Sequence, residues 1–202
     1  TEHYLRTVKD DYIQALSFNQ RASVLCRQLP SGSSPRWQVQ MNMGDIYLLI
    51  KEYDNALASY GRSLTYLRDN TSLTPRNRQL LIGQAVAQMG EVYEIKKQYD
   101  RARQQYEASR QLALDAHSKT NVAYADERLG DFYITQHQPA EAIRALDEGL
   151  AIWTQLGDAA GQASIWARLA ECYVLINRPA EAISYGALPA NRKRRLHSGS
   201  LI

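Results

Sequence analysis

Small, acidic and aromatic residues recur at fixed intervals along this chain, inside stretches whose apolar residues follow the period of an α-helix. A four-residue phrase ending in tyrosine begins at Gly44, Gly90, Gly130 and Ala170. The starts lie 46, 40 and 40 residues apart, and an alanine follows each start twelve residues later, at Ala56, Ala102, Ala142 and Ala182. A single closed core gives no reason for such spacing, whereas stacked units need the same close approach at every interface. The pattern predicts a repeat array.

Apolar positions at helical spacing predict two antiparallel helices, A and B, in each repeat. In the third repeat, helix A is predicted from Lys119 to Gln136 and helix B from Pro139 to Leu156. Proline is well tolerated in the first turn of a helix, and Gly157 is a typical C-terminal stop. We therefore expect an all-α fold, an α-solenoid of antiparallel helix pairs.

The same spacing predicts the organisation of the chain. Residues 1–29 contain a leading helix, which we interpret as helix B of a truncated repeat because Ala15 lies 41 residues before Ala56. Its helix A is mostly cut off or degenerate, with His3 in place of the glycine. Four repeats follow within residues 36–186, at 36–69, 76–117, 119–156 and 159–186, and a non-repeat basic tail occupies 187–202.

The phrase Leu/Met-Gly-x-x-Tyr, with alanine twelve residues after the glycine and an aromatic residue four later (Tyr60, Tyr106), resembles the tetratricopeptide repeat. Trp166, four residues before Ala170, fits the same family. The family's common period is about 34 residues, so the longer unit here resembles the extended variant of Pins/LGN-type proteins, kinesin light chains and many bacterial regulators. The resemblance implies a right-handed superhelix whose A helices line a concave groove for peptides or partner helices.

Composition and charge narrow the range of possible functions further. The net charge is +3, but Arg192, Lys193, Arg194 and Arg195 supply four positive charges, so the rest of the chain is close to neutral. Nucleic acid is therefore not expected as a partner, and this basic run is the only candidate for it. The sequence shows neither a signal peptide nor a membrane-spanning run, and we expect a cytoplasmic protein. Cys26 and Cys172 lie in unrelated contexts and are expected as buried thiols.

Motifs for catalysis are not found in the sequence. The four histidines are not spaced as metal ligands, and neither a phosphate-binding glycine loop nor a nucleophile elbow occurs. Tyr47, Tyr93, Tyr133 and Tyr173 recur at one structural position, which favours a core role over base stacking. We expect no enzyme activity, no cofactor and no metal.

The exposed side of helix A is the surface that can carry function. The resemblance implies that the residue after the glycine faces the groove, and that residue is acidic in every repeat. Arg128 and Arg168 can pair with the acids three residues later, whereas the first two acids face amides and are expected to keep acceptor capacity for a bound peptide. The candidate groove residues are Asn42, Asp45, Gln88, Glu91, Arg128, Asp131, Arg168 and Glu171.

These observations favour a non-catalytic scaffold or adaptor that binds a partner peptide or helix in the concave groove. The alternative is a peptide-sensing regulatory domain of a bacterial signalling protein or transcription regulator. At the end of the array, Gly186 and Pro189 are expected to cut the last helix short and leave Leu169, Tyr173 and Leu175 partly uncovered. We expect self-association through this end, or a further domain, to cover them.

Overall fold

The structure is a computed structural model that describes residues 2–29 and 35–187, with side chains for residues 11–29 and 35–184. Helices and short turns make up the described residues, and no strand occurs among them, so the predicted all-α class is confirmed. The helices are α1 Glu2–Cys26, α2 Arg36–Leu49, α3 Tyr53–Asp69, α4 Pro75–Ile95, α5 Tyr99–Asp115, α6 Lys119–Thr135, α7 Pro139–Leu156, α8 Ala159–Leu175 and α9 Pro179–Ala187. Pro189 and the basic run Arg192–Arg195, on which predictions for the tail rest, lie outside the described residues.

Two compact units divide the chain, Thr1–Leu112 and Ala113–Ile202. The first contains α1 to α4 and most of α5, and the second contains α6 to α9. In the first unit, α2 and α3 form an antiparallel hairpin. Ser63 Oγ donates to the carbonyl of Trp37 at 2.9 Å, and Tyr60 Oη donates to Asp45 Oδ1 at 2.7 Å, so residue numbers rise along α2 as they fall along α3.

Each unit has its own apolar core. In the first, Ala56, Tyr60, Ala85 and Val92 are completely buried. In the second unit, one apolar cluster contains four residues that are also completely buried: Leu146, Ile165, Leu169 and Cys172. The expectation that Leu169 is partly uncovered is therefore wrong, because Leu169 points into this cluster. Both cysteines are buried, as predicted, and burial raises the pKa of the Cys172 thiol to about 11.

Glycines at the start of the repeated phrase lie where helix B presses against helix A. A Cβ atom on Gly90 would lie 2.9 Å from Cε1 of Tyr106, and one on Gly130 would lie 2.5 Å from Cδ2 of Leu146. Real Cβ contacts are not this short, so a larger residue at either position would force the two helices apart. The predicted close approach of helix A to its own helix B is confirmed at these positions.

The turn from helix A to helix B has one geometry in all four repeats. The second residue after each A helix adopts a left-handed conformation, with φ between 55° and 65°. Its N–H and the next N–H bond back to carbonyls in the last turn, for example Lys97 N to Glu94 O and Gln98 N to Tyr93 O, both at 2.8 Å. This double hydrogen bond is the Schellman motif. The left-handed residues are Lys51, Lys97, His137 and Asn177.

Helix α1 is continuous from Glu2 to Cys26 and has no turn in the region where the sequence suggested a degenerate helix A. Arg36, at the start of α2, fixes the C-terminal end of α1. Arg36 Nε donates to the carbonyl of Cys26 at 2.9 Å, and Nη2 donates to the carbonyl of Leu29 at 2.9 Å. A cation near the last carbonyls of a helix satisfies acceptors that have no partner inside the helix.

Candidate functional site: the exposed stripe of the A helices

Helices α2, α4, α6 and α8 are the A helices, and each carries exposed or half-buried side chains at four positions that form one line, here called the exposed stripe. Its positions lie six and two residues before the phrase start and one and five residues after it. Steps of four, three and four residues return to the same side of a helix. The stripe is Gln38, Asn42, Asp45 and Leu49 on α2, Gln84, Gln88, Glu91 and Ile95 on α4, Tyr124, Arg128, Asp131 and Thr135 on α6, and Ser164, Arg168, Glu171 and Leu175 on α8.

All eight predicted groove residues lie on this stripe, and the structure adds the outer two positions of each helix. Steps of four, three and four residues along each helix were the sequence signal that could have located these outer positions. Three of the four residues at the last position are exposed and apolar: Leu49 (57%), Ile95 (45%) and Leu175 (45%). The stripe therefore offers apolar contacts beside its polar ones.

In the first unit, Tyr60 joins the stripes of α2 and α4. Its ring is completely buried, and its hydroxyl donates to Asp45 Oδ1 at 2.7 Å. Gln88 on α4 also interacts with this hydroxyl, so residues of the two stripes meet at Tyr60. Asp45 was predicted to keep acceptor capacity for a peptide; Tyr60 takes one acceptor site of Oδ1, and a carboxylate has about four such sites.

Burial raises the pKa of Tyr60, and the hydrogen bond to Asp45 and the negative charges of Asp45 and Glu91 raise it further. A phenol held in its neutral form donates a hydrogen bond without cancelling the charge of the carboxylate that accepts it. Tyr60 therefore orients Asp45 and leaves its negative charge in place.

Tyr106 occupies the same register position in α5 as Tyr60 in α3, but it uses a different acid. Its hydroxyl donates to Glu94 Oε2 at 2.9 Å, three residues beyond Glu91 on α4. Each of these two tyrosines is thus bound to a carboxylate on its own helix A. Glu91 itself lies on the stripe, where it is half-buried.

In the second unit, Glu127 is the centre of a polar network between α6, α7 and α8. It is buried, with a relative exposure of 7%, and Oε1 accepts from Trp153 Nε1 at 2.7 Å. Oε2 accepts from Ser164 Oγ at 3.1 Å and lies 3.5 Å from Arg168 Nη1. Burial of a carboxylate is tolerated when it is paired and hydrogen-bonded, as here.

Arg168 carries the positive charge of this network. Its Nη2 donates to Asp131 Oδ2 at 3.0 Å while Nε donates to Oδ1, a two-pronged pair between α8 and α6. The hydrogen bond to Asp131 raises the pKa of the guanidinium above its usual value despite partial burial. The pair that the sequence suggested, Arg168 with Glu171 on the same helix, is replaced by this link between neighbouring A helices.

Tyr124 is the aromatic residue of the exposed stripe, and sequence reasoning missed it. It is 57% exposed, and its ring packs edge-on against Trp153 with centroids 5.0 Å apart. Trp153 is itself held by Glu127, so a buried network supports the exposed ring. At this position the other A helices carry Gln38, Gln84 and Ser164.

The described residues contain no cluster of three or more histidine, cysteine or acidic side chains placed to hold a metal ion. Over the same ranges, no helix combines the length and the apolar character needed to cross a membrane. The side chains of the stripe supply hydrogen bonding, charge and apolar contact.

Two sequence-family models, both described as tetratricopeptide repeat, match residues 121–187 and residues 38–69. A comparison with curated protein sequences returned no match.

Several solved structures share the fold. BtubC (BKLC) from P. vanneervenii is 17% identical and superposes with a TM-score of 0.75, over 98% of this chain and 79% of BtubC. RapI in its apo form is 14% identical with a TM-score of 0.74, over 87% of this chain and 47% of RapI, so the match spans about half of that protein. The nearly identical TPR-like repeats of a Podosopora anserina protein named as a kinesin light chain are 13% identical, with a TM-score of 0.67 over 98% of this chain and 95% of that one. At these identities the similarity shows the fold alone.

Proposed function

Because the chain belongs to the tetratricopeptide-repeat family, we propose that it is a non-catalytic scaffold or adaptor of the cytoplasm, which binds a peptide or helix of a protein partner along its A helices. The observation that carries this proposal is the exposed stripe, which has the same four positions in every A helix. In the proposal, each of the repeats 36–69, 76–117, 119–156 and 159–186 presents its own copy of these four positions.

The arrangement suits recognition of a backbone as well as of side chains. Amide and carboxylate groups at the two central positions supply hydrogen-bond donors and acceptors, and the apolar residues at the last position supply contact area. Asp45 is held by Tyr60 and Asp131 by Arg168, so these groups lose little conformational freedom when a ligand binds. Such preorganisation favours specific binding.

A pull-down with the full chain tests the proposal. An Asp45→Lys/Glu91→Lys variant reverses two charges on the stripe, and a Glu107→Lys/Glu141→Lys variant makes the same change on exposed positions of α5 and α7. We expect a partner that is retained by the wild type and by the control variant but lost from the stripe variant.

Because Asp45 is hydrogen-bonded to Tyr60, a second stripe variant separates folding from binding. Asn42→Lys adds a charge at an exposed position and is expected to weaken binding with an unchanged circular dichroism spectrum. Equal retention by the stripe and control variants would contradict the proposed surface.

A further inference from the structure

From Tyr12 onward, helix α1 follows the register of a B helix. Tyr12 and Ala15 repeat the spacing of Tyr53 and Ala56 at the start of α3. One side of α1 packs on α2, where Cys26 joins Val39 and Met43 in a buried cluster. This is the contact that a B helix makes with the A helix of the following repeat.

The other side of α1 is apolar and exposed. Phe18 is 57% exposed and Leu25 is 62% exposed. Shifted by the same 41 residues, Phe18 corresponds to Ser59 of α3, which is completely buried. In that hairpin, the neighbouring Arg62 donates to Gln40 Oε1 on α2 at 2.6 Å, so helix A covers this side of the B helix. The corresponding side of α1 carries the apolar side chains of Phe18 and Leu25, which can make a similar contact with a covering helix.

Among the described residues, the segment before Tyr12 does not fold back over this side of α1. In the first repeat, residues 50–52 turn the chain between α2 and α3, and the corresponding residues of α1 are 9–11. There α1 continues as a helix, up to Glu2. At 1.5 Å per residue, the helix extends roughly 11 Å beyond the position of the usual turn. A three-residue turn therefore does not bring a helix A onto Phe18.

Charge indicates what would cover the surface. Residues 12–29 contain Arg21 and Arg27 and not one acidic residue. Arg21 occupies the register position of Arg62, which in α3 donates to an acceptor on the covering helix. Its guanidinium lies 6.0 Å from the centroid of the Phe18 ring, so cation and aromatic residue are neighbours on one surface. In an antiparallel pair of α1 helices centred on this surface, Arg21 would face Arg21, which disfavours a second copy.

We propose that the outer side of α1, formed by Phe18, Arg21 and Leu25, binds an amphipathic helix of another protein, one that carries acidic residues beside its apolar stripe. The helix takes the place that α2 takes on α3, with apolar side chains on Phe18 and Leu25 and an acidic side chain opposite Arg21. This surface lies on a B-type helix and is separate from the exposed stripe of the A helices.

Two synthetic helical peptides test the proposal on the full chain. Both have leucines at positions i, i+3, i+4 and i+7, and one has glutamates beside them where the other has lysines. Fluorescence anisotropy is expected to show binding of the glutamate peptide only. Arg21→Glu and Phe18→Asp should each weaken it about tenfold or more, the scale of a lost charge pair or apolar anchor at an interface.

The matched control is Gln20→Asp, which adds a negative charge at an exposed position on a different side of α1. It should bind the glutamate peptide nearly as well as the wild type, and an Arg21→Glu/Arg27→Glu variant should prefer the lysine peptide. Circular dichroism confirms that each variant is folded.

Three results would overturn the proposal. The first is equal affinity for the two peptides, or affinity that Phe18→Asp leaves unchanged. The second is binding of the chain to phosphatidylserine vesicles that is lost in Phe18→Asp, which assigns the surface to a membrane. The third is a dimer in sedimentation that Phe18→Asp abolishes, which assigns it to a second copy.

Discussion

A Cβ atom on Gly44 would lie 2.3 Å from Cε1 of Tyr60, so glycine is needed where the tyrosine ring crosses helix α2. The contact brings the Tyr60 hydroxyl to Asp45 and buries the ring completely. The residue that permits tight packing in the first repeat thus also permits the hydrogen bond that orients a residue of the exposed stripe.

Replacing Gly44 with alanine should destabilise the first unit. We expect the free energy of unfolding to fall by about 1–3 kcal/mol, because an added methyl group forces the ring or the helix to move. Gly61→Ala is the matched control, since a Cβ there meets no atom within 4 Å. It should raise stability by up to about 1 kcal/mol, because alanine favours helix more than glycine does. Urea denaturation measures both, and equal effects of the two substitutions would contradict the packing argument.

The sequence predicted much of the fold because its strongest signals are local. Pro139 and Gly157 mark the start and end of α7, and the structure has helix α7 from Pro139 to Leu156 with Gly157 at φ 72°. The turns after the A helices gave no such signal, because Lys51, Lys97, His137 and Asn177 adopt the left-handed conformation that glycine usually marks.

The site was harder to predict than the fold. Helical spacing was enough to identify Asn42 and Glu171 as surface residues, but pairing between helices has no local signature. Asp131, the partner of Arg168, lies 37 residues away in sequence, whereas Glu171 lies three residues away and was the local choice. Tyr124 was missed for a related reason, because its support by Trp153 and Glu127 depends on three helices.

Loss of Arg168 should destabilise the second unit, because Glu127 would remain buried without its cation. Arg168→Ala is expected to lower the free energy of unfolding by about 1–3 kcal/mol, the cost of removing one partner of a buried charged hydrogen bond. Arg168→Lys should be intermediate, since lysine keeps the charge but not the two-pronged geometry. Arg144→Ala, on the exposed side of α7, is the control. Thermal unfolding that is the same for Arg168→Ala and Arg144→Ala would contradict this account.

Stability should fall in alkaline solution. Burial raises the pKa of Cys172 from 9.0 to about 11 and also raises that of Tyr60. Above pH 9 the unfolded chain releases the thiol proton while the folded chain keeps it, so the free energy of unfolding decreases with pH until about pH 11. Urea denaturation between pH 8 and 11 measures the slope. Cys172→Ala should make this slope shallower, and an unchanged slope would show that the thiol does not contribute.

The turn after α4 offers a stabilising substitution. Lys97 has φ 58°, a conformation that costs little for glycine and more for residues with a Cβ atom. We expect Lys97→Gly to raise the free energy of unfolding by about 0.5–1 kcal/mol, the difference between this steric gain and the entropy of glycine in the unfolded chain. Gly157→Ala, at φ 72°, makes the opposite change and should destabilise by a similar amount. A lower melting temperature for Lys97→Gly would refute the argument.

The region near the turn between α8 and α9 should promote self-association. Val174 is 62% exposed, Leu175 is 45% exposed and Ile183 is 68% exposed, so apolar side chains of both helices remain in contact with water. An apolar face at a repeat is normally covered by its neighbour, which makes a second copy a favourable cover. We expect the sedimentation coefficient of the wild type to rise with concentration and that of Ile183→Lys to stay at the monomer value. Glu141→Lys, on the exposed side of α7, should behave as the wild type. A wild-type chain that stays monomeric over the whole concentration series would show that this surface does not bind another copy.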